Sequence, residues 1–200
     1  MKKAFLPAIF IFLTGCNTAT NTTPVTTSVT TNTEAKKDSF FPVTSFIKGQ
    51  LLLLDSLPVT PLHTTVINNK TDSVWIKKSE LVALLQDFLS PEIKETNLIN
   101  YFKETSFKDQ TINAITFTYD PLPTLPDSIS LRHWDIYIDP ESDKISKIYL
   151  VKQFKEKEGI VTRQLTWKTN KWASINTIIN MSNGNTALLK AEKFIWNFNE

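Results

Sequence analysis

The stretch that decides the fold is residues 160–179, IVTRQLTWKTNKWASINTII. Large apolar residues alternate here with polar ones on both sides of Lys168-Thr169-Asn170-Lys171, which predicts two antiparallel strands, 160–168 and 171–179, joined by a tight turn. With Thr169-Asn170 as a two-residue loop, Trp167 and Trp172 would lie directly opposite each other. Such an aromatic pair contributes up to about 1 kcal/mol to a sheet.

The same two-residue period extends in both directions along the chain from this hairpin. Ile115, Phe117 and Tyr119 alternate with threonine from about residue 110 onward, and Trp134, Ile136 and Ile138 alternate with polar residues. Further strands are predicted at 145–154 and 194–196. The connections 139–143 and 156–159 are short and polar, so consecutive strands must be antiparallel neighbours.

The half of the chain that precedes this sheet reads as short helices and one hairpin. We predict a helix over 44–56, a hairpin with strands Leu62–Ile67 and Ser73–Ile76, and a helix over 80–89. Ser79 is its expected N-cap, and Asn97 is expected to cap a third, short helix. The fold class is therefore α+β: N-terminal short helices and a hairpin, then a twisted antiparallel β-meander, in a single domain over 40–200. This order resembles cystatin-like or half-barrel envelope proteins.

The first sixteen residues have the pattern of an export signal. Lys2 and Lys3 precede an apolar run over 4–14, which is about half the roughly 20 residues that a membrane-spanning helix needs. The run ends in Leu13-Thr14-Gly15-Cys16, which resembles the lipobox of bacterial lipoproteins. The resemblance implies that residues 1–15 are a signal peptide cleaved between Gly15 and Cys16. It also implies that Cys16 carries a diacylglycerol and a further acyl chain, such as palmitate, on its amino group.

Residues 16–39 are expected to form a lipidated cysteine and a disordered tether. The segment 17–33 is rich in Thr and Asn and carries no charge, so it cannot bury enough apolar surface to become ordered. A glycosylated stalk is an alternative. Asp55-Ser56-Leu57, Asp72-Ser73-Val74 and Asp127-Ser128-Ile129 also match a motif that some Bacteroidota glycosylate, although Asp-Ser is equally common in turns.

The residues after Cys16 predict where the protein is located. In the lipoprotein family, Asp just after the cysteine often marks retention at the inner membrane, and Asn17 favours the outer membrane instead. In Bacteroidota-like lipoproteins an acidic cluster after the cysteine is linked to surface display, and this chain has none there. We therefore expect attachment to the outer membrane of the cell envelope, facing the periplasm.

Composition excludes several classes of function. The chain has 22 basic and 20 acidic residues, and loss of Lys2 and Lys3 with the signal peptide leaves 20 of each. That balance lacks the basic excess of a nucleic-acid binder. With four glycines in all, a Gly-rich phosphate loop is absent, and asparagine must supply many tight turns. The single Cys allows no disulfide.

Candidate catalytic and metal-binding residues are sparse. The two histidines, His63 and His133, are 70 positions apart, without the clustered ligands of a zinc site. Nothing like G-x-S-x-G accompanies them, although an envelope hydrolase that uses one of them stays an alternative. Asp139, Glu141 and Asp143 share one turn, where a solvated turn is more common than a calcium site. We expect no metal and no cofactor.

Binding is the function that the sequence favours. Pro121, Pro123 and Pro126 predict a stiff, extended segment that either connects two strands or contacts a partner. Five tryptophans suggest an aromatic surface or pocket, with Trp134, Trp167 and Trp172 as candidate contacts. We expect a lipid-anchored, non-enzymatic envelope protein that binds a protein partner, or an apolar ligand held between helices and sheet. The third alternative is glycan binding by exposed Trp rings.

Overall fold

The computed structural model describes residues 39–199. The predicted signal peptide, the Gly15–Cys16 cleavage site and the tether up to residue 38 lie outside the described residues. Two α-helices and a 3-10 helix precede most of the strands: α1 Val43–Ser56, α2 Lys78–Leu84 and the 3-10 helix Gln86–Phe88. The strands are β1 Leu62–Ile67, β2 Lys70–Trp75, β3 Phe102–Asp109, β4 Ala114–Pro121, β5 Leu131–Asp139, β6 Lys144–Lys155, β7 Gly159–Lys168, β8 Trp172–Met181 and β9 Thr186–Ile195.

Within residues 39–199 these nine strands form one open sheet in the order β2-β1-β9-β8-β7-β6-β5-β4-β3. Every pairing is antiparallel. Strands β3 to β9 are a continuous meander, and the β1–β2 hairpin adds to its end beside β9. The α+β class, with a meander after short helices and a hairpin, is confirmed.

The core lies on one face of the sheet, beneath the helices. Trp134, Leu150, Leu165 and Ile175 occupy one row across β5 to β8, and all four are buried. Residues of the helices and of the loop after them complete the same cluster: Val43, Ile47, Leu51, Leu54, Leu81, Leu85, Phe88 and Ile93. Antiparallel sheets commonly cover one face in this way and leave the other face to solvent.

Helix α1 follows directly from its apolar spacing. Val43, Ile47, Leu51 and Leu54 recur at intervals of four, four and three residues and are all buried, which places them on one stripe of a helix. Leu57 is already extended, as expected for the residue before Pro58, because a following proline disfavours helical backbone.

The turn between β7 and β8 has three residues, Thr169 to Lys171, and not the predicted two. Asn170 has φ of 60°, which matches the left-handed residue of a three-residue hairpin loop. The extra residue shifts the register by one, and a one-residue shift moves side chains to the other face. Trp167 therefore pairs with Ala173, and Trp172 pairs with Lys168. The predicted Trp167–Trp172 pair is wrong, because the two rings lie on opposite faces.

The bounds of β2 and α2 and the residues around Asn97 also differ from the predictions. Strand β2 begins at Lys70, because Asn68 and Asn69 both have positive φ and close a two-residue turn by themselves. The second helix ends at Leu84, and its N-cap is Lys77 and not Ser79. No helix follows Asn97, whose side chain accepts from the N–H of Lys94 and donates to the carbonyl of Glu92 in a turn.

The structure contains one strand that the sequence did not predict and one that is longer than predicted. Strand β3, Phe102–Asp109, was not predicted, since most of its residues are exposed and give no apolar alternation. Strand β9 starts at Thr186 and not at 194. The sequence did not predict its first part, because a register shift against β8 interrupts the apolar–polar alternation near Leu188-Leu189. Asparagine does supply tight turns as expected: Asn68, Asn69, Asn113 and Asn170 all have positive φ.

Candidate functional site

An apolar groove lies between α1 and α2. Its floor is formed by Leu51, Leu54 and Leu81, which belong to the buried core. Its walls include Leu52 and Val82, which are 75% and 40% exposed. The cavity encloses about 490 Å³, within the range of sites that hold small ligands.

Polar groups rim the groove without entering its floor. Lys48, Asp55, Lys78 and Ser79 lie at its edge. The Lys78 Nζ donates to the carbonyl of Asp55 and, at 2.9 Å, to that of Leu57. These carbonyls end α1 and lack helical partners, so Lys78 connects the end of one groove helix to the start of the other. The arrangement is suited to an elongated apolar guest with its polar end at the rim.

The space between helices and sheet, where we expected an apolar ligand, is occupied by the core. Phe88 lies edge-on to Trp167 with ring centroids 5.5 Å apart, and Trp196 is 5.2 Å from Trp167. Protein interiors packed in this way leave little space for a guest. The groove is instead confined to the two helices and Leu89.

The candidate tryptophans divide between the two faces of the sheet. Trp134 and Trp167 are completely buried, so no ligand on the surface can stack on either ring. Trp172 is half-buried on the open face, where the Lys193 ammonium is 4.8 Å from its ring centroid. Trp196 is buried, and Trp75 is the tryptophan with the largest exposure in the described chain. The geometry therefore supplies no paired, concave Trp surface for a sugar.

Pro121 ends strand β4, and from Leu122 onward the proline-rich segment folds into two reverse turns and is not extended as predicted. The N–H of Leu125 donates to the carbonyl of Leu122, and that of Ile129 donates to Pro126. Pro123 occupies the second position of the first turn, where its fixed φ fits. Pro121 and Pro123 are exposed and Pro126 is half-buried. None of the three lines the groove, and the segment connects β4 to β5.

His133 lies in a polar cluster on the open face of the sheet. Its Nδ1 is 2.8 Å from a carboxylate oxygen of Asp120, and its Nε2 is 3.1 Å from Asp135. The buried carboxylate of Asp135 also accepts from Thr118 and Tyr137. With both ring nitrogens donating, the imidazolium is favoured, and the hydrogen bond to Asp135 raises the pKa of His133. Burial opposes the charge of Asp135, but bonds from His133 and Thr118 keep its pKa lowered.

The cluster predicts a pH dependence of stability. A histidine whose pKa is raised by folding stabilises the fold fully below its unfolded pKa of about 6.5. That contribution is lost as the pH rises through the folded pKa. We expect the free energy of unfolding of the wild type to exceed that of His133→Gln by about 1 kcal/mol at pH 5.5. The difference should shrink above neutrality, in urea titrations from pH 5.5 to 8.5; a constant difference would contradict the assignment.

His63 lies on the helix side of the sheet, near the β1–β9 pairing. Its Nε2 is 3.1 Å from Glu192 Oε1 and 3.2 Å from Thr65 Oγ1, and its ring stacks on Phe194. A hydroxyl–histidine–carboxylate relay uses both ring nitrogens, one toward the nucleophile and one toward the acid. Here one nitrogen faces both groups, so this arrangement differs from such a relay. Neither histidine lines the groove.

The acidic residues Asp139, Glu141 and Asp143 lie in a hydrogen-bonded turn. Asp139 Oδ1 accepts from the backbone N–H groups of Glu141 and Ser142, and those bonds, that from Glu141 foremost, lower the pKa of Asp139. Asp143 has φ of 55° and closes the loop. Among residues 39–199, no three His, Cys, Asp or Glu side chains are grouped so that they could hold a metal ion.

Sequence reasoning missed the groove residues Leu52 and Val82, although one signal was present. Residues 51–54 are four consecutive leucines, whereas a helix with one buried stripe buries only some of four successive positions. Leu51 and Leu54 satisfy the core. Leu52 is therefore an excess apolar residue, and such residues indicate an interaction surface when they adjoin others.

Comparisons with protein-family models, curated proteins and solved structures find no match to this chain. In the part of the chain that the structure describes, each helix is too short or too polar to cross a bilayer.

Proposed function

We propose that this protein is a lipid-anchored, non-enzymatic protein of the cell envelope. Its folded domain would bind an apolar ligand, or an apolar segment of a protein partner, in the groove between α1 and α2. The observation that carries the binding role is the groove itself, an apolar cavity of about 490 Å³ with a buried floor and exposed Leu52 and Val82 walls. The lipobox-like Leu13-Thr14-Gly15-Cys16 supports the anchor.

Exposed leucine and valine beside a cavity favour binding over a purely structural role. Each fully buried aliphatic side chain contributes about 1.5–3 kcal/mol when it leaves water. Two such side chains contribute at most about 3–6 kcal/mol. Micromolar affinity corresponds to about 8 kcal/mol, so the apolar surface of the guest itself must supply the rest. Lys48, Asp55, Lys78 and Ser79 at the edge of the groove favour a guest with a polar end.

The groove is tested with a fatty-acyl probe, cis-parinaric acid, whose fluorescence rises in apolar surroundings. Leu52→Glu places a charge in the groove wall, and we expect binding at least about tenfold weaker than in the wild type. Leu53→Glu is the matched control, because Leu53 is also exposed but does not line the groove. Equal weakening by both variants, or no binding by the wild type, would contradict this site.

The anchor is tested separately. The Cys16→Ala chain has no thiol to accept a diacylglycerol, so we expect loss of acylation and an unprocessed or mislocalised product. Two or more acyl chains hold a protein firmly on a membrane, whereas one chain binds only marginally. Mass spectrometry of the native protein, together with membrane fractionation of both forms, measures the effect. A wild-type Cys16 without acyl groups would refute the anchor.

A further inference from the structure

An exposed aromatic pair lies next to the groove and has no role in the core. Trp75 is 61% exposed and Phe198 is 57% exposed, and their ring centroids are 6.0 Å apart. Trp75 ends β2, one of the two edge strands of the sheet. A soluble surface usually has single exposed apolar residues, and adjacent large ones indicate a contact surface.

The aromatic pair and the groove belong to one end of the domain. A second cavity, of about 360 Å³, is lined by Val59, Trp75, Ile76, Lys77 and Lys78. Lys78 also lines the α1–α2 groove and donates to the carbonyl of Leu57. Leu52 and Val82 line the groove, the carbonyl of Leu57 accepts from Lys78, and Phe198 packs on Trp75. All five residues are exposed, and we call them the apolar rim.

The chemistry of the apolar rim fits a bilayer surface. Tryptophan is enriched where membranes meet water, because its ring is apolar and its N–H is polar. Lys48, Lys77 and Lys78 adjoin the rim, and basic residues near a membrane surface are attracted to anionic lipids. Asp55, Glu80 and Glu92 are the nearby acids. Glu80 accepts from the N–H of Lys77, and Glu92 pairs with both Lys48 and Lys94. With Lys94 included, the local excess is one positive charge.

The length of chain before the domain permits this contact. Positions 16 and 39 are 23 residues apart, and a chain of that length spans at most about 75 Å. Helix α1 has 14 residues and is therefore about 21 Å long. The far end of α1, where Leu52 and Leu57 lie, is thus within reach of the membrane that would hold Cys16.

We infer that the apolar rim rests on the bilayer, with Trp75 and Phe198 inserted among the lipid headgroups and Lys77 facing anionic lipid. The inference rests on the proposed lipid anchor, which keeps the rim at high local concentration beside the membrane. The contact fixes the orientation of the domain and places the mouth of the groove at the lipid surface. An apolar guest could then pass between bilayer and groove without crossing water.

The test measures Trp quenching by lipids brominated on their acyl chains. The acylated full chain is reconstituted in phosphatidylcholine–phosphatidylglycerol vesicles, with and without bromine. We expect clear quenching in the wild type and its loss in Trp75→Phe, because Trp134, Trp167 and Trp196 are buried. Trp172 lies three strands from Trp75 and is half-buried beside Lys193. Lys77→Glu should weaken quenching in anionic vesicles and leave it unchanged in purely zwitterionic ones.

The matched control moves the tryptophan to the opposite edge of the sheet. Phe107 is exposed on β3, the edge strand furthest from β2, so Trp75→Phe combined with Phe107→Trp should remain unquenched. If the wild type and the double variant were quenched equally, this inference would be overturned and the anchor would stand. The same holds if Trp75 of the wild type were not quenched in protein that floats with the vesicles. Failure of the acylated chain to float with vesicles overturns the anchor and this inference together.

Discussion

Replacement of Trp134 by Ala is expected to destabilise the domain by about 4 kcal/mol, since large buried aromatics replaced by Ala cost about 3–5 kcal/mol. Trp134 is completely buried and stacks on Tyr119 with ring centroids 4.4 Å apart. Phe102 and Phe40 lie edge-on at 4.5 and 5.9 Å. Alanine removes all three ring contacts and leaves a cavity in the core beside β5. Urea unfolding followed by near-ultraviolet circular dichroism measures the loss.

Two further variants separate packing from composition. Trp134→Phe should cost much less, because it keeps a ring and removes an indole N–H that has no hydrogen-bond partner among the described residues. Trp75→Ala, at the exposed tryptophan, should change the free energy of unfolding by no more than about 0.5 kcal/mol. If Trp134→Ala and Trp75→Ala were equally mild, the assignment of Trp134 to the centre of the core would fail.

Strands β4 to β8 of the meander were predictable, because each of them shows an apolar–polar alternation of its own. Trp134, Ile136 and Ile138 alternate with polar residues, as do the apolar residues of Gly159–Lys168, and the turns from β5 to β9 have three or four residues each. Local sequence therefore specifies both the strands and their antiparallel order. The position of the β1–β2 hairpin beside β9 was not predictable, because that pairing joins residues more than a hundred positions apart.

Register was the weaker part of the prediction. At Thr169–Lys171, a two-residue and a three-residue loop use the same residue types, and the choice decides which face receives Trp172. In the structure the loop has three residues, with Asn170 in the left-handed region, and Trp167 lies in the core. A count of tryptophans therefore could not identify a binding surface, since the face of each ring depends on one loop residue.

The candidate site was hidden for a related reason. Leu52 and Val82 look like core residues in the sequence, and only the positions of α1 and α2 show that the core has no room for them. Sequence identifies an excess of apolar residues, but packing decides which of them remain outside. The same holds for Trp75, whose strand is the edge of the sheet and has a neighbour on one side only.

At Gly159, the addition of a single methyl group is expected to lower the free energy of unfolding strongly. Its φ is 155°, and a Cβ built there would lie 2.1 Å from the carbonyl oxygen of Asn180 and 2.8 Å from the Cα of Met181. These are backbone atoms of the neighbouring strand β8, so they cannot move without breaking the β7–β8 pairing. We expect Gly159→Ala to destabilise the domain by about 3 kcal/mol or more, the sum of strain and overpacking.

The two other glycines of the described chain provide the controls, because each isolates one contribution. Gly184 also has positive φ, of 85°, but nothing lies within 4 Å of its Cβ position, so Gly184→Ala should cost only the conformational strain of about 1 kcal/mol. Gly49 lies inside α1 with open space around it, and Gly49→Ala should stabilise the domain by about 0.5–1 kcal/mol. Urea unfolding of the three variants should rank them in that order. If Gly159→Ala were no worse than Gly184→Ala, the close approach of β8 to the start of β7 would be wrong, and with it the register that places Trp167 in the core.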